Sequence, residues 1–202
     1  MKVYLIRHGQ TNGNVARRHQ AEHTPLSAIG ETQAKAVATK ICALEPTHVV
    51  TSNLVRAIET ARQIGTTCDL IPETSELFAE LRRPKHLAGQ YHWSFASLWY
   101  YLRWYLHTAK DSETYPELRT RLQAAQAKLA SYPTDSQVVV VSHTVFINFF
   151  LAHLCREKNL SAWSMLLTFH KMLLMPNATV TELEFDESAP VGTCAWRVHG
   201  AT

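Results

Sequence analysis

The sequence KVYLIRHG, residues 2–9, changes abruptly from an apolar run to cationic and imidazole side chains. The run from Lys2 to Ile6 is short, apolar and rich in residues that favour strands, which predicts a buried β-strand. Gly9 allows the chain to turn sharply away at the end of this strand. The segment therefore predicts a first strand whose carboxyl end presents Arg7 and His8.

Two later segments repeat this arrangement of a buried strand followed by polar side chains. A predicted strand over residues 48–51 precedes Arg56, and a predicted strand over residues 137–141 precedes Ser142 and His143. Strands that alternate with helices form parallel sheets, in which ligands bind beyond the carboxyl ends of the strands. We therefore expect the three segments to meet in one crevice above the sheet.

We predict an α/β fold, a three-layer sandwich with a mainly parallel central sheet, helices on both faces and a small helical insertion at about residues 85–115. The chain has 202 residues, of which 46% are hydrophobic, so it can bury one substantial core. We therefore expect a single domain that spans residues 1–202.

Local signals predict the remaining elements. Ser27 can cap a first helix, Gly65 is expected to close the second, and Pro116 can open a later one. Near the C-terminus, apolar runs predict two strands, over Met172–Met175 and Thr179–Phe185.

The side chains at the three strand ends suit a phosphate dianion. Arginine offers a planar fork that matches phosphate oxygens, so Arg7 and Arg56 are the expected anchors. The positive charge of Arg7 disfavours a charged His8 and keeps a ring nitrogen free to attack phosphorus. The attack would form a phosphohistidine, and Asn14 and His143 would help both arginines to stabilise its transition state.

A leaving alkoxide needs a proton, and Glu80 is the best-placed carboxyl group. It ends an extended, mostly apolar stretch, where partial burial and a nearby phosphate would favour its protonated form. Glu73 and Glu76 lie in the same stretch and are the alternatives. We expect Glu80 to act first as an acid and then as a base.

The segment Leu5–Thr11, followed by Asn14, resembles the signature of the histidine phosphatase superfamily, in its phosphoglycerate mutase-like branch. Further blocks follow in the family's order, and they are Pro25–Ser27 with Gly30, Gln33-Ala34, Thr51-Ser52 with Arg56-Ala57, Thr60-Ala61, Val141–His143 and Asn177–Val180. The resemblance implies a metal-independent phosphoryl-transfer enzyme without a cofactor. It implies that the catalytic residues are His8, Glu80 and His143, and that the phosphate-binding residues are Arg7, Asn14, Arg56, His143 and Thr144.

The sequence departs from the family pattern at two places. Thr144 stands where the family usually has glycine, and residues 81–89 replace a glycine and an aromatic-acidic-glycine group after Glu80. The insertion between Glu80 and His143 is shorter than in the family's mutases, which favours a phosphatase. Two alternatives stay open, a cofactor-dependent phosphoglycerate mutase and a catalytically silent module that binds a phosphorylated ligand.

Composition and motifs narrow the class of protein and its partners. The formal net charge is only +3 and the basic residues are scattered, which argues against nucleic acid and favours a small phosphorylated substrate. The apolar run at the N-terminus is too short for a signal peptide or a membrane span, so we expect a cytoplasmic protein. The four cysteines have no tight spacing and the histidines no ligand motif, which predicts reduced thiols and no metal site.

Two segments have open roles. The aromatic segment, residues 91–107, could form a lid, an interfacial helix or part of the core, and exposed aromatic side chains there would favour a homodimer. The basic run Arg82, Arg83, Lys85 and His86 could recognise a second anionic group or be solvated, and His23 could line the pocket entrance.

Overall fold

A six-stranded sheet forms the centre of the molecule in the computed structural model, which describes residues 1–190 and 192–201. The strands are β1 (Lys2–Arg7), β2 (His48–Thr51), β3 (Glu73–Thr74), β4 (Gln137–Ser142), β5 (Val180–Phe185) and β6 (Trp196–Ala201). The strands β3, β2, β4 and β1 are parallel neighbours, whereas β5 pairs antiparallel with β1, and β6 with β5. The predicted α/β class with a mainly parallel sheet is confirmed.

Helices cover both faces of this sheet. The helices are α1 (Asn12–Val15), α2 (Ala28–Cys42), α3 (Val55–Cys68), α4 (Phe95–Tyr105), α5 (Tyr115–Ala130), α6 (Thr144–His153) and α7 (Ala162–Leu174), with short 3-10 helices at Glu76–Phe78 and Lys85–Leu87. One face packs against α2 and α3 through small and branched apolar side chains, and the other packs against α4, α5, α6 and α7 around phenylalanines and Trp104. This arrangement gives the three predicted layers.

The central strands are buried on both faces, which explains why their sequences are uniformly apolar. In β1, Val3 and Leu5 point into the core beneath α5 and α6, whereas Tyr4 and Ile6 point toward α2 and α3. The valines of β4 alternate between the same two cores. Because successive side chains leave a strand on opposite faces, a strand with two covered faces needs apolar residues at every position.

Several predicted boundaries are wrong. Met172 and its neighbours end α7 instead of forming a strand, because Met165, Phe169 and Met172 pack inward at helical spacing. Gly65 lies inside α3, which ends only where Asp69 takes a left-handed conformation. The edge strand β6 was not predicted. Pro116, in contrast, lies in the first turn of α5, as predicted.

The cysteines are paired, which corrects the expectation of reduced thiols. One disulfide joins Cys42 at the end of α2 to Cys68 at the end of α3, and the other joins Cys155 to Cys194. The Cα separations of 5.2 and 5.3 Å are those of ordinary disulfides. The partners lie 26 and 39 residues apart, so only the packing of the elements reveals them.

Glycines allow the loop after β1 to touch the start of α2. A Cβ atom on Gly30 would lie 2.0 Å from the carbonyl oxygen of Gln10, and one on Gly9 would lie 2.5 Å from that of Gly30. Ser27, the predicted N-cap of α2, accepts a hydrogen bond from the Gly30 amide at 3.1 Å. Gly9 is needed because a Cβ atom at this position would collide with the backbone of Gly30. It is not needed for its φ angle, which is not positive.

We predict that Gly30→Ala lowers the free energy of unfolding by about 1–3 kcal/mol, because the added methyl group must displace backbone atoms. Urea denaturation measures this change. The control is Lys35→Ala, on an exposed position of the same helix, which should be close to neutral. An unchanged unfolding midpoint for Gly30→Ala would contradict the close approach.

Candidate active site

The carboxyl ends of β1, β2 and β4 open into one pocket of about 70 Å³. Six of the predicted site residues line it, and the seventh, His143, lies next to His8 with 5.1 Å between the ring centroids. The structure therefore brings together residues from distant parts of the chain. The six lining residues are Arg7, His8, Asn14, Arg56, Glu80 and Thr144.

His8 has one ring nitrogen bound to the protein and one left for the pocket. Its Nδ1 lies 2.7 Å from the carbonyl oxygen of Gly9. A carbonyl can only accept, so Nδ1 carries the hydrogen and a neutral ring has its lone pair on Nε2. The backbone of the following loop thus orients the ring and selects the tautomer.

His143 is fully buried and is held by a residue that follows β2. Its Nε2 lies 2.7 Å from the hydroxyl oxygen of Ser52, which also accepts a hydrogen bond from the amide of Leu54 at 3.2 Å. The Nδ1 atom of His143 has no protein partner. The N-cap of α3 is Leu54, two residues further along the chain, so the Ser52 side chain is left to hold His143.

The two predicted arginine anchors, a buried Arg56 and a half-buried Arg7, are held by backbone carbonyls. Arg7 donates a hydrogen bond to the carbonyl of Met175, and Arg56 donates one to that of Ala21 at 3.1 Å. The Nε atoms of both guanidinium groups are buried without a protein partner. Each side chain is thus fixed in place and keeps donor capacity that an anion in the pocket could use.

Asn14 is fixed by its carbonyl oxygen. Its Oδ1 accepts hydrogen bonds from the amide and hydroxyl of Thr11 and from Nδ2 of Asn177, which also bonds the carbonyl of His8 at 3.1 Å. The Nδ2 group of Asn14 is therefore the end left for a ligand. Thr144 turns its hydroxyl to the Met172 carbonyl at 3.3 Å, so its backbone N–H at the start of α6 is its available donor.

Glu80 lies at the N-terminus of α6. Its Oε1 accepts hydrogen bonds from the amides of Leu81 at 3.0 Å and Phe146 at 3.2 Å, and Oε2 makes one longer bond of 3.4 Å to the amide of Val145. A helix N-terminus favours a negative charge. Of the three glutamates in this stretch, only Glu80 lines the pocket, since Glu73 pairs with Lys128 and Glu76 is exposed.

A buried ion pair holds the segment that carries Glu80. Arg121 donates to Glu113 at 2.6 and 2.7 Å, and its Nη1 donates to the carbonyls of Leu77 at 3.0 Å and Ala79 at 2.7 Å. Ser142 fixes the same segment by donating to the Phe78 carbonyl at 2.6 Å. Neither member of the ion pair was singled out from the sequence.

The pocket combines neutral imidazoles with charged guanidiniums. Burial, followed by the charges of Arg56 and Arg7, lowers the pKa of His8 well below its usual value. Burial and Arg56 have the same effect on the pKa of His143. Burial lowers the pKa of Arg56 to about 10, so this side chain stays charged at neutral pH. The site is therefore cationic while both of these rings keep a lone pair.

Sequence reasoning missed much of the outer wall of the pocket. Residues 17–19 hydrogen bond with residues 89–92, including the His19 amide to the Gln90 carbonyl at 2.9 Å. This contact between two loops leaves no signal in the sequence. The unpredicted lining residues are Arg18, His19, Gln20 and His92.

The side chains of the basic run and of the aromatic segment lie in three places, namely the pocket, the core and the surface. Arg83 lines the pocket, whereas Lys85, His86 and His23 are exposed outside it. In the aromatic segment, the side chains of Tyr100 and Trp104 are buried, and those of Trp93, Phe95, Trp99 and Tyr105 are exposed.

Two further kinds of feature are absent from the described residues, a helix that could span a membrane and a cluster of metal-binding side chains. None of their helices has the length and apolar character needed to cross a membrane. No three His, Cys, Asp or Glu side chains among them are grouped so that they could hold a metal ion. A larger depression of about 440 Å³ near Met1 is lined by Glu184, Asp186 and Glu187, which do not suit an anion.

Comparison with known proteins agrees with the geometry of the pocket. The model of the histidine phosphatase superfamily (branch 1) matches residues 3–194. The "Probable phosphoglycerate mutase GpmB" of Enterobacter sp. (strain 638) is 29% identical over 202 residues, covering 93% of this chain and 86% of that protein. A solved structure of mycobacterial glucosyl-3-phosphoglycerate phosphatase with VO3 is 26% identical, covers 98% of this chain and 97% of that one, and has a TM-score of 0.80.

We predict that the protein loses stability as the pH falls below about 6.5. An unfolded histidine titrates near pH 6.5, whereas burial lowers the pKa of His8 and His143 in the folded state. The unfolded chain therefore binds more protons below that pH, so acid favours unfolding. Each such group contributes a slope of up to about 1.4 kcal/mol per pH unit.

Urea denaturation between pH 7.5 and 5 measures this slope. His143→Asn should reduce the slope by about one proton per molecule. His48→Asn, at an exposed histidine at the far end of β2, should leave it unchanged. Equal slopes for wild type and His143→Asn would show that His143 is not held neutral by the fold.

Proposed function

This chain belongs to the histidine phosphatase superfamily, whose members are phosphoryl-transfer enzymes, and from that membership we propose that it hydrolyses phosphomonoesters through a phosphohistidine at His8. The observation that carries the proposal is the state of His8. Its Nδ1 is engaged by the Gly9 carbonyl, its Nε2 is left for the pocket, and burial, together with the charges of Arg56 and Arg7, keeps the ring neutral. This combination suits nucleophilic attack on a dianion.

In the first step, Nε2 of His8 forms a bond to phosphorus while the phosphorus–oxygen bond of the ester breaks. Negative charge spreads over the three equatorial oxygens, and Arg7, Arg56 and Nδ2 of Asn14 donate hydrogen bonds to them. The leaving alkoxide takes a proton from Glu80. We assign this proton to Oε2, because its protein hydrogen bond is the longer one.

His143 supplies a further donor in this proposal. Ser52 accepts from the Leu54 amide and can donate its own hydrogen to Nε2 of His143. The neutral ring then carries its hydrogen on Nδ1, the atom without a protein partner. A phosphoryl oxygen is the acceptor that would satisfy it.

In the second step, water attacks phosphorus and the bond to His8 breaks. Glu80 accepts a proton from this water, which restores the acid for the next cycle, and inorganic phosphate leaves. Guanidinium groups supply the positive charge throughout, so the proposed reaction needs no metal. Excess chelator should therefore leave the activity unchanged.

A mutase is the second candidate, because the GpmB relatives are named as probable phosphoglycerate mutases. In a mutase, the phosphohistidine would return its phosphoryl group to a bound sugar acid instead of water. The short insertion between Glu80 and His143 supports hydrolysis. Release of inorganic phosphate, measured against isomerisation of 3-phosphoglycerate, separates the two activities.

We predict that His8→Ala abolishes hydrolysis of p-nitrophenyl phosphate, by at least about 10³-fold, because no nucleophile remains. Wild type should also yield an alkali-stable, acid-labile phosphoenzyme after mixing with labelled substrate, and His8→Ala should yield none. His48→Asn is the matched control, as an exposed histidine far from the pocket. The absence of label and turnover in wild type would instead support a silent binding module.

We predict that Glu80→Gln separates substrates by their leaving groups. An alkyl phosphate needs the acid, so its kcat should fall by about 10²–10⁴-fold, whereas formation of the phosphoenzyme from p-nitrophenyl phosphate should fall much less. Rapid-quench kinetics measures both steps. Glu76→Gln, at an exposed glutamate of the same stretch, serves as the control. Equal losses for the two substrates would contradict the role of Glu80 as an acid.

A further inference from the structure

One side of α4 exposes apolar side chains that lie outside both the core and the pocket. These side chains recur three and four residues apart, so they form a single stripe along the helix. The stripe consists of Phe95, Leu98, Trp99, Leu102, Tyr105 and Leu106. The opposite side of the helix is buried through Ser97, Tyr100 and Trp104. The outer side of a surface helix normally carries polar residues, so this stripe needs another explanation.

The helix α7 repeats the pattern with the same spacing. Its exposed apolar side chains are Trp163, Leu166, Leu167, Leu173 and Leu174. The two helices contact each other through Tyr101 and Phe169, whose rings pack edge to face with 5.6 Å between their centroids. This contact joins the two exposed stripes, which together we call the α4–α7 face.

The exposed apolar area at this face is larger than most proteins leave in water. Six aromatic residues of α4, α7 and the loop before α4 are between 42% and 82% exposed. At about 150–250 Å² for each whole side chain, they leave roughly 500–900 Å² in solvent, whereas the largest apolar patch of a typical monomer covers about 300–600 Å². The leucines add to this area, so the face has the size of a docking surface. The six residues are Tyr91, Trp93, Phe95, Trp99, Tyr105 and Trp163.

The charges around the α4–α7 face have one sign. Residues 81–110 and 158–181, which contain the two helices, hold seven lysines and arginines and no aspartate or glutamate. The rest of the chain has 13 basic and 17 acidic residues, which gives it a net charge of −4. Arg103 and Lys171 lie in the last turns of α4 and α7, beside the stripes. The face therefore combines apolar side chains with positive charge.

We propose that the α4–α7 face binds the surface of a membrane that contains anionic lipids. Tryptophan and tyrosine favour the boundary between headgroups and acyl chains, and lysine and arginine are attracted to anionic headgroups. The helices α4 and α7 have 11 and 13 residues, which is too short to cross a hydrocarbon core of about 30 Å. They lie in the plane of the interface, with their exposed stripes in the lipid.

A second copy of the chain fits this face less well. A symmetric dimer places the same patch of both copies in contact, so the two positively charged segments would face each other. These segments contain no acidic residue that could compensate for the charges of Arg103 and Lys171. An anionic lipid surface supplies the missing negative charge.

The face begins at the rim of the pocket. His92 lines the pocket, and its neighbours Tyr91 and Trp93 are exposed. Docking on a membrane therefore brings the pocket close to the lipid surface. The proposal concerns binding and goes beyond the proposed function, so its test needs no turnover.

Co-flotation of the full chain with lipid vesicles tests the proposal. Phosphatidylcholine vesicles with about 30 mol % phosphatidylglycerol should bind the protein at least about tenfold more tightly than vesicles of phosphatidylcholine alone. Sodium chloride at about 0.5 M should weaken binding to the anionic vesicles by a similar factor. Brominated acyl chains should quench the tryptophan fluorescence of the bound protein, because Trp99 and Trp163 lie on the face.

A double variant that carries Trp99→Gln and Leu166→Gln tests the apolar stripes. It removes one apolar side chain from each helix, so the affinity for anionic vesicles should fall by at least about tenfold. The matched control carries Ile29→Gln and Ile71→Gln, at exposed positions in α2 and just after α3. Those helices cover the opposite face of the sheet, so the control should bind as wild type does.

The variant Lys171→Glu tests the charge. It should weaken binding to anionic vesicles by about 5- to 25-fold, because two units of charge change near the lipid surface. Lys35→Glu makes the same change at an exposed position of α2 and should have little effect. All of the substituted side chains are exposed, so the urea unfolding midpoints of the variants should stay close to that of wild type.

Three results would overturn the proposal. These are no binding to either kind of vesicle, equal affinity for both kinds, and equal losses for the two double variants. Sedimentation equilibrium without lipid tests the rival occupant. A wild-type dimer that Trp99→Gln and Leu166→Gln dissociate, together with no vesicle binding, would assign the face to a second copy. Failure of hydrolysis in wild type would count against the proposed function only.

Discussion

Parallel pairing of β4 with both β1 and β2 places the carboxyl ends of three strands at the same edge of the sheet. In this register Arg7 lies opposite Ser142, and Thr51 lies opposite Val141. The residues that follow these three strands are His8, His143 and Ser52, which lie close together although they are far apart in sequence. A shift of one residue in the pairing of β1 with β4 would turn the side chains of one strand to the other face of the sheet and separate the two imidazoles. The same shift between β2 and β4 would move Ser52 away from His143.

Burial of positive charge connects the chemistry of this pocket to its stability. Buried guanidiniums need compensation, which here comes from backbone carbonyls and from Glu80 at the N-terminus of α6. The same burial and the same charges keep His8 and His143 neutral. A neutral His8 ring near pH 7 and a loss of stability in acid thus have one physical cause. An anionic substrate would offset the positive charge of the guanidinium groups in the pocket.

The outer wall of the pocket depends on contacts between segments that the sequence does not relate. The loop after α1 hydrogen bonds with residues 89–92, and α4 presents Tyr101 to Arg83. The aromatic segment accordingly has a mixed role, because Trp104 belongs to the core while Phe95 and Trp99 stack on each other at the surface. The predicted homodimer stays a prediction about this exposed face.

The sequence by itself determined the fold class and the inner part of the candidate site. Apolar runs that end in Arg7-His8 and Ser142-His143 carry this information locally. A strand that is buried on both faces must be uniformly apolar, so polar side chains occur only where the strand ends. The tertiary structure alone decided which groups hold these residues, namely Ser52 on His143, Arg121 beneath Glu80 and Tyr101 behind Arg83. It also decided the disulfide pairs and the helical state of residues 172–174. These features depend on contacts between distant segments, and a distance in space has no signature in the local order of side chains.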